Sequence, residues 1–457
     1  MEKQLSHLSF WHFAISIALG MLTFWLGYQI ERSDFYTLIV LYGIFFFIYI
    51  GIFNFYVSRR SVYFFLIIGV LLRFLLIFSL PNLSDDIYRF IWDGRLLVAG
   101  LNPFDYLPSH YIENDIQVKG LDTDLFNKLN SPNYFTIYPP VNQAIFALAA
   151  WLSPSSIWGS SIVMKSFLFL CEVGSIFLII RLLKHFHLPA SNALLYALNP
   201  LIILEVMGNI HFEGAMVFFM LLVIWLLFIK RNWLASGVAF AFSVASKLLP
   251  LMFLPLLLRR IAGAVTPLYR VETWRSLDWR KVASYLVLIG GVLFVLFFPL
   301  FNLDFIRNFG DSLNLYFQKF EFNASLYYLF RWIGFQMRGY NIIHSLGPFL
   351  AIISFVSILL ITLLEQKTDG LSLFKRLLFT ISIYLFCTTT VHPWYLALPI
   401  VFCVFTNYRF PILWSGLSFM TYINYSYPSY TENLWVVGIE YFLVGSFLLF
   451  ETKNNLL

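Results

Sequence analysis

Long apolar runs broken by short polar punctuation make up most of the chain. They lie near 10–30, 36–57, 61–80, 158–180, 189–205, 213–230, 233–246, 249–258, 282–302, 343–364, 374–391, 393–407, 410–427 and 433–450, fourteen in all. A membrane-crossing helix takes about 20 apolar residues, and shorter half-helices are tolerated inside a bundle. The pattern therefore predicts an all-α polytopic membrane protein of about 13–14 transmembrane helices. The stretch 141–152 reads either as a further span or as a helix lying at the interface. Met1–Phe10 carries one Lys and one Glu before a run long enough to span, so an uncleaved first helix is expected rather than a signal peptide.

Composition sharpens this. Hydrophobic residues are 60% of the 457, charged residues only 12%, and Phe alone supplies 52. Soluble domains carry roughly a quarter charged residues. With a mean hydropathy of +0.77, a soluble enzyme, a disordered chain and a nucleic-acid binder are all excluded. Cys171, Cys387 and Cys403 are widely spaced inside apolar runs, so they read as small buried hydrophobes and not as a disulfide framework or zinc site.

The formal charge of +6 distributes unevenly. With the N-terminus in the cytoplasm, 18 of the 30 Lys and Arg, starting with Lys3, fall in inside loops. Ten fall in the longer outside segments, and Arg73 and Lys165 lie within spans. Of the 24 Asp and Glu, 16 lie outside. The positive-inside rule thus sets both termini in the cytoplasm and predicts a cell-membrane protein. No internal repeat of the kind found in many transporters is visible. One membrane domain, 1–457, is expected, with a large outer loop at 81–140, a second outer segment at 303–342 and a basic cytoplasmic loop at 259–281 resting on the anionic leaflet.

The loop 81–140 is the most polar stretch. Ser84 can cap a helix that begins Asp85-Asp86-Ile87-Tyr88-Arg89. At 100° per residue, Asp85, Asp86, Arg89, Trp92 and Asp93 share an arc of about 120°. An amphipathic helix on the outer membrane surface is predicted, with that face toward a lipid headgroup. Acidic residues in a first turn also serve the helix dipole, and Arg89 can pair with Asp86 or Asp93. Two adjacent carboxylates carry a like-charge penalty, which favours function. Asn102-Pro103 signals a turn, and Pro139-Pro140 extends Tyr138 and starts another helix.

Further ionisable residues converge on the same side: Glu205, His211, Glu213, Lys247, Arg331 and His392. Charges at membrane depth cost about 2.5–3.5 kcal/mol each, so they tend to mark sites. Lys247 can snorkel to the interface or hold a lipid phosphate. Arg73 is expected to pair with Glu172 or Glu440, and Lys165 and Glu172 share a helix face. These read as structural pairs.

Asp85-Asp86-x-Tyr88-Arg89-x-x-Trp92-Asp93-Gly94, then Gly100-x-Asn102-Pro103-Phe104, then Tyr138-Pro139-Pro140, resembles the first lumenal loop of GT-C glycosyltransferases. The likeness is to the bacterial family-87-like and α-1,6-mannosyltransferase-like branch. Gly208-Asn209-Ile210-His211-Phe212-Glu213, Ser246-Lys247-Leu248-Leu249-Pro250 and His392-Pro393-Trp394-Tyr395 resemble later motifs of that branch, with Glu213 where Asp is expected. The likeness runs from about 70 to 410. More than one span precedes the first loop, where many relatives have one, and no soluble C-terminal domain is expected.

The resemblance implies a GT-C-like bundle and an inverting hexosyl transfer, mannose being the expected sugar. The donor would be a polyprenyl-phosphate sugar and the acceptor a glycan or glycolipid on the outer face. Asp85 or Asp86 would be the base. The substrate-binding set it implies is Arg89, Trp92, Asp93, Asn102, Tyr138, His211, Glu213, Lys247, His392 and Trp394. No cofactor is expected. Carboxylates and His cluster here as in a divalent metal site, but Asp86 and Asp93 are two turns apart, about 10 Å, too far to share one ion. A transporter, flippase or polymerase for lipid-linked sugars is the competing class.

Overall fold

The computed structural model describes residues 8–454, apart from the side chains of 313 and 315–319. Lys3 lies outside the described residues. The structure is helical throughout, with one isolated bridge, between Phe322 and Thr390, among the described residues. Helices α1 (Phe10–Tyr28), α2 (Phe35–Phe55) and α3 (Arg59–Leu75) form the N-terminal part of the bundle. Polar caps start several elements: Asp34 accepts from the Thr37 N–H at the head of α2, and Ser58 accepts from the Ser61 N–H at the head of α3.

Next come α4 (Asp86–Val98), α5 (Pro140–Leu152) and α6 (Ile157–His185). A bent pair, Ala190–Ala197 and Ile202–Gly208, turns by 53°. Helices α7 (Glu213–Phe228), α8 (Trp233–Ser246) and α9 (Trp279–Phe297) follow. Then come α10 (Leu303–Lys319), α11 (Leu326–Arg338), α12 (Ile343–Leu364), α13 (Gly370–Cys387) and α14 (Leu434–Asn454).

Eight helices among the described residues are long and apolar enough to cross a membrane, or nine if the bent pair is one span. This is a multi-pass membrane protein. The fourteen apolar runs do not all become long helices. Pro140–Leu152, α7, α8 and Pro393–Cys403 are apolar but short. At 1.5 Å per residue they fall below the roughly 30 Å hydrocarbon core. Their apolarity reflects burial: Met216, Ala241 and Val401 are fully enclosed. Hydropathy cannot separate a lipid-facing helix from one packed inside the bundle.

The predicted surface helix is instead buried on nearly all sides. Ile87, Phe90, Ile91, Trp92 and Leu96 all pack into the core. A Cβ at Gly94 would collide with the Phe146 carbonyl, so α4 and α5 cross at backbone contact there. Segment 101–139 folds back over the opposite face, with Trp92 against the rings of Tyr111 and Phe126. Helical periodicity placed the polar residues on one arc; it could not show that the chain itself covers that arc.

Inside the bundle, Arg73 donates to Glu172 at 2.8 Å, and Tyr196 donates to the same carboxylate at 2.6 Å. Glu172 is therefore the partner, not Glu440. Among the described residues Lys165 pairs with no carboxylate; it donates to the carbonyls of Leu76 (3.0 Å) and Ser79 (2.7 Å). At the other end, Glu365 draws in Arg259 and Arg260, with Arg260 bonded at 2.6 Å. Those two arginines of the basic loop thus close the bundle instead of resting on lipid.

Candidate active site

A polar cavity of about 520 Å³ lies at the end of the bundle that carries segment 81–140. Asp85 and Asp86 enter it from the head of α4, and Asn130, Tyr134 and Tyr138 from the covering segment. Lys247 enters from the break after α8, and His392 and Trp394 from the break before Pro393–Cys403. A broken span supplies irregular backbone only where it lines such a cavity.

The two aspartates have different partners. Asp85 forms an ion pair with Arg32, from the hairpin between α1 and α2, and the Arg32 guanidinium stacks over Tyr425 at 4.8 Å. Asp86 accepts from the Asn130 amide at 2.7 Å and from the Tyr138 hydroxyl at 3.2 Å. Burial first, then the nearby Asp86 and Glu213 carboxylates, push the Tyr138 phenol well above its usual value. It stays a neutral donor to Asp86.

His211 stands beside Asp86, with Nε2 3.9 Å from Asp86 Oδ2. Its Nδ1 faces the Glu205 carbonyl at 2.9 Å and the Glu205 carboxylate at 3.2 Å. Two acceptors at Nδ1 assign a proton to that nitrogen, and Nε2 is the ring atom that faces Asp86. Nε2 is buried without a hydrogen-bond partner. Glu205 sits on the π-helical turn Ile202–Gly208, a local widening common at functional sites. It also accepts from Tyr422 at 2.7 Å and Asn209 at 3.1 Å. Between them, Ile210 is held at φ +59°, a strained conformation for a β-branched residue, which turns His211 back toward Glu205.

His211 stacks on Trp394 at 3.7 Å, and Trp394 stacks on His392 at 4.4 Å. Phe322 continues the column, 4.5 Å from His392. The bridge Phe322–Thr390 fixes this end, with the Val391 N–H donating to Phe322 O at 2.8 Å. On the other side, Lys247 Nζ pairs with Glu213 at 3.0 Å and lies over the Tyr138 ring at 5.6 Å.

Three of the residues chosen from sequence lie elsewhere. Trp92 is fully enclosed in the core. Asp93 is buried beneath the site, where it accepts from Arg89 and Gln143 at 2.8 and 3.0 Å. Asn102 donates to Leu300 O at 2.9 Å and its side chain also caps Phe104, so this turn anchors the head of α10. Arg89 reaches the cavity wall, where it holds the Ser131 and Tyr134 carbonyls at 3.0 and 2.8 Å. Glu213 lines the neighbouring groove through Lys247. Arg32, Asn130, Tyr422 and Tyr425 complete the cavity and were not singled out. Arg32 carried one usable signal, a cation in a very short hairpin on the same side as the acidic loop. Among the described residues no three His, Cys, Asp or Glu side chains converge as a metal ion requires.

An apolar cavity of about 380 Å³ adjoins the polar one. Leu248, Leu249 and Met252 form one side, and Ala351, Phe355 and Ile358 of α12 the other. Tyr138, Lys247 and Tyr395 line both cavities. The ammonium group therefore stands where a polar chamber meets an apolar groove.

Fold and site together define a multi-pass membrane protein in which a polar chamber and an apolar groove meet at Lys247. Residues 17–263 match the family described as alpha-(1->6)-mannopyranosyltransferase, N-terminal domain. The match covers more than half of the chain, and the chain belongs to this family of mannosyltransferase-type glycosyltransferases. It includes Asp85, Asp86, Tyr138, His211 and Lys247. No curated protein matches the chain.

Proposed function

We propose that the protein transfers a mannosyl group from a polyprenyl-phosphate donor to a glycan or glycolipid acceptor on the outer face of the cell membrane. The observation that carries this is Lys247, shared by the polar cavity and the apolar groove. A lipid phosphate needs both environments at one point. The prenyl chain occupies the groove between Leu249 and Phe355, the phosphate meets Lys247, and the sugar lies in the polar cavity.

The acceptor hydroxyl oxygen attacks the anomeric carbon as the bond from that carbon to the phosphate oxygen breaks. The hydroxyl proton passes to a carboxylate, and the phosphate leaves as an anion beside Lys247. Attack opposite the leaving group inverts the anomeric centre. A phosphate leaving group needs charge neutralisation, not protonation. We assign the base to Asp86, because its partners are an amide and a phenol. Asp85 is already engaged in the ion pair with Arg32, whereas Asp86 faces the cavity with only neutral donors on it. His211 Nε2 stands behind Asp86 to share the proton. The cationic role falls to Lys247, and we propose no metal requirement.

The test is transfer by membranes given polyprenyl-phosphate mannose and a panel of glycan acceptors, with and without a chelator. Asp86→Asn should abolish transfer while inserting normally, and chelation should leave transfer intact. Undiminished transfer by Asp86→Asn would remove the base. No transfer by the wild type with any lipid-linked sugar would remove the reading.

A further inference from the structure

A second pocket, about 630 Å³, lies on the Arg32 side of the polar cavity. It is enclosed by the hairpin between α1 and α2, by Pro81-Asn82, and by the segment that leads into α14. It shares Arg32, Asp85, Tyr425 and Tyr430 with the first cavity, so the two chambers have a common wall. The Arg32–Asp85 ion pair lies in that wall.

Its chemistry differs from the Lys247 side. Tyr28, Tyr425, Tyr427 and Tyr430 provide aromatic faces with hydroxyl tips. Gln29, Glu31 and Asn82 add amide and carboxylate groups. Among the described residues that line it, Arg32 is the one cation, and it is already paired with Asp85. A phosphate finds no uncommitted positive charge among them. Nor do Leu248, Leu249 and Phe355, which line the groove beyond Lys247, take any part in this pocket. Aromatic faces edged by neutral and acidic hydrogen-bonding groups suit an uncharged polyol, which stacks its C–H faces and bonds its hydroxyls. The volume falls within the roughly 300–1,000 Å³ of small-molecule sites.

We propose that this second pocket is the acceptor site and binds a neutral mannose oligosaccharide. The inference rests on the transferase reading above for the identity of the sugar, and on the pocket itself for its place. The saccharide enters between Tyr427 and the α1–α2 hairpin, and its reacting hydroxyl passes the Arg32–Asp85 pair to reach Asp86. Donor and acceptor thus approach from two sides of one wall.

The experiment measures binding of α-1,6-linked mannotetraose to the full-length protein in detergent, by saturation-transfer NMR titration. No donor is present, so the result does not depend on transfer. Tyr427 is exposed, and Tyr427→Ala is expected to fold as the wild type does. It should weaken tetrasaccharide binding about ten-fold, the upper size of one aromatic contact, whereas Tyr427→Phe should keep it within about two-fold. Absence of tetrasaccharide binding by the wild type would overturn the proposal. So would binding by both Tyr427→Ala and Glu31→Gln within about two-fold of the wild type. Tetrasaccharide binding that depends on Tyr427, in a protein that transfers no mannose, would sustain the pocket and overturn the transferase reading instead.

Discussion

Lys247 Nζ lies 3.0 Å from Glu213 Oε1, and the Glu213 side chain has no solvent exposure while Lys247 keeps 20%. The pair joins the break after α8 to the head of α7. It also sets the donor chemistry, because an arriving phosphate shares a lysine that a buried carboxylate already holds in place. Removing one member of a buried pair costs about 3–5 kcal/mol, since the other charge is left uncompensated. Lys247→Met alone should therefore lower the unfolding midpoint in detergent and abolish transfer. The double variant Lys247→Met/Glu213→Gln should recover the midpoint and still not transfer. A stable single variant, or an active double variant, would separate Lys247 from the role given to it.

The two adjacent aspartates should behave differently. Asp86→Asn should reduce the initial transfer rate by about 10²–10⁴-fold, the usual contribution of a general base. Asp85→Asn frees Arg32 and disturbs the wall between the chambers, so its loss should be smaller and should appear mainly as a higher acceptor KM. Equal collapse of the rate at saturating acceptor in both variants would contradict this division.

Residues that stand out as polar in apolar surroundings were legible in the sequence. Asp85, Asp86, Lys247, His211, His392 and Trp394 all line or adjoin the cavity, and Tyr138 stands where its two following prolines hold it. What sequence could not show is which side of a polar element the chain would cover. Asp93 and Trp92 share an arc with Asp86, yet segment 101–139 seals that arc two turns along. Tyr422 and Tyr425 were hidden for another reason: in a chain with 26 tyrosines, nothing local distinguishes those two. Which apolar runs become long helices was not legible, because core helices such as α7 are as apolar as lipid-facing ones.

The Arg73–Glu172 pair should matter to stability and not to chemistry. Both side chains are fully buried, and Arg73 also donates to the Gly69 carbonyl at 2.9 Å. Arg73→Met leaves the Glu172 carboxylate with only the Tyr196 hydroxyl, at a cost of about 3–5 kcal/mol. Arg73→Met/Glu172→Leu removes both charges and should restore most of the loss. Thermal unfolding of the four proteins in one detergent measures the cycle. An Arg73→Met protein as stable as the wild type would show that the pair contributes nothing.

His392 should make stability pH-dependent in a predictable sense. Burial lowers its imidazole from 6.5 to about 3; Asp86 opposes the shift, while His211 and Lys247 add to it. Phe322 and Trp394 flank the ring, and Nδ1 is buried without a partner. Between these two values the unfolded chain binds a proton that the folded chain refuses. Stability is therefore unaffected by this group above pH 6.5 and falls progressively as the pH drops toward 3. Glu432 contributes in the opposite sense, because burial raises its carboxyl and protonation favours the folded form. Only a difference between variants isolates the histidine. His392→Phe keeps an aromatic ring between Phe322 and Trp394 and removes the titration. Its unfolding midpoint should fall less steeply than that of the wild type below pH 6.5, with the two converging in slope above it. Parallel curves across the whole range would mean that His392 titrates alike in the folded and unfolded chains, and that its ring is open to water.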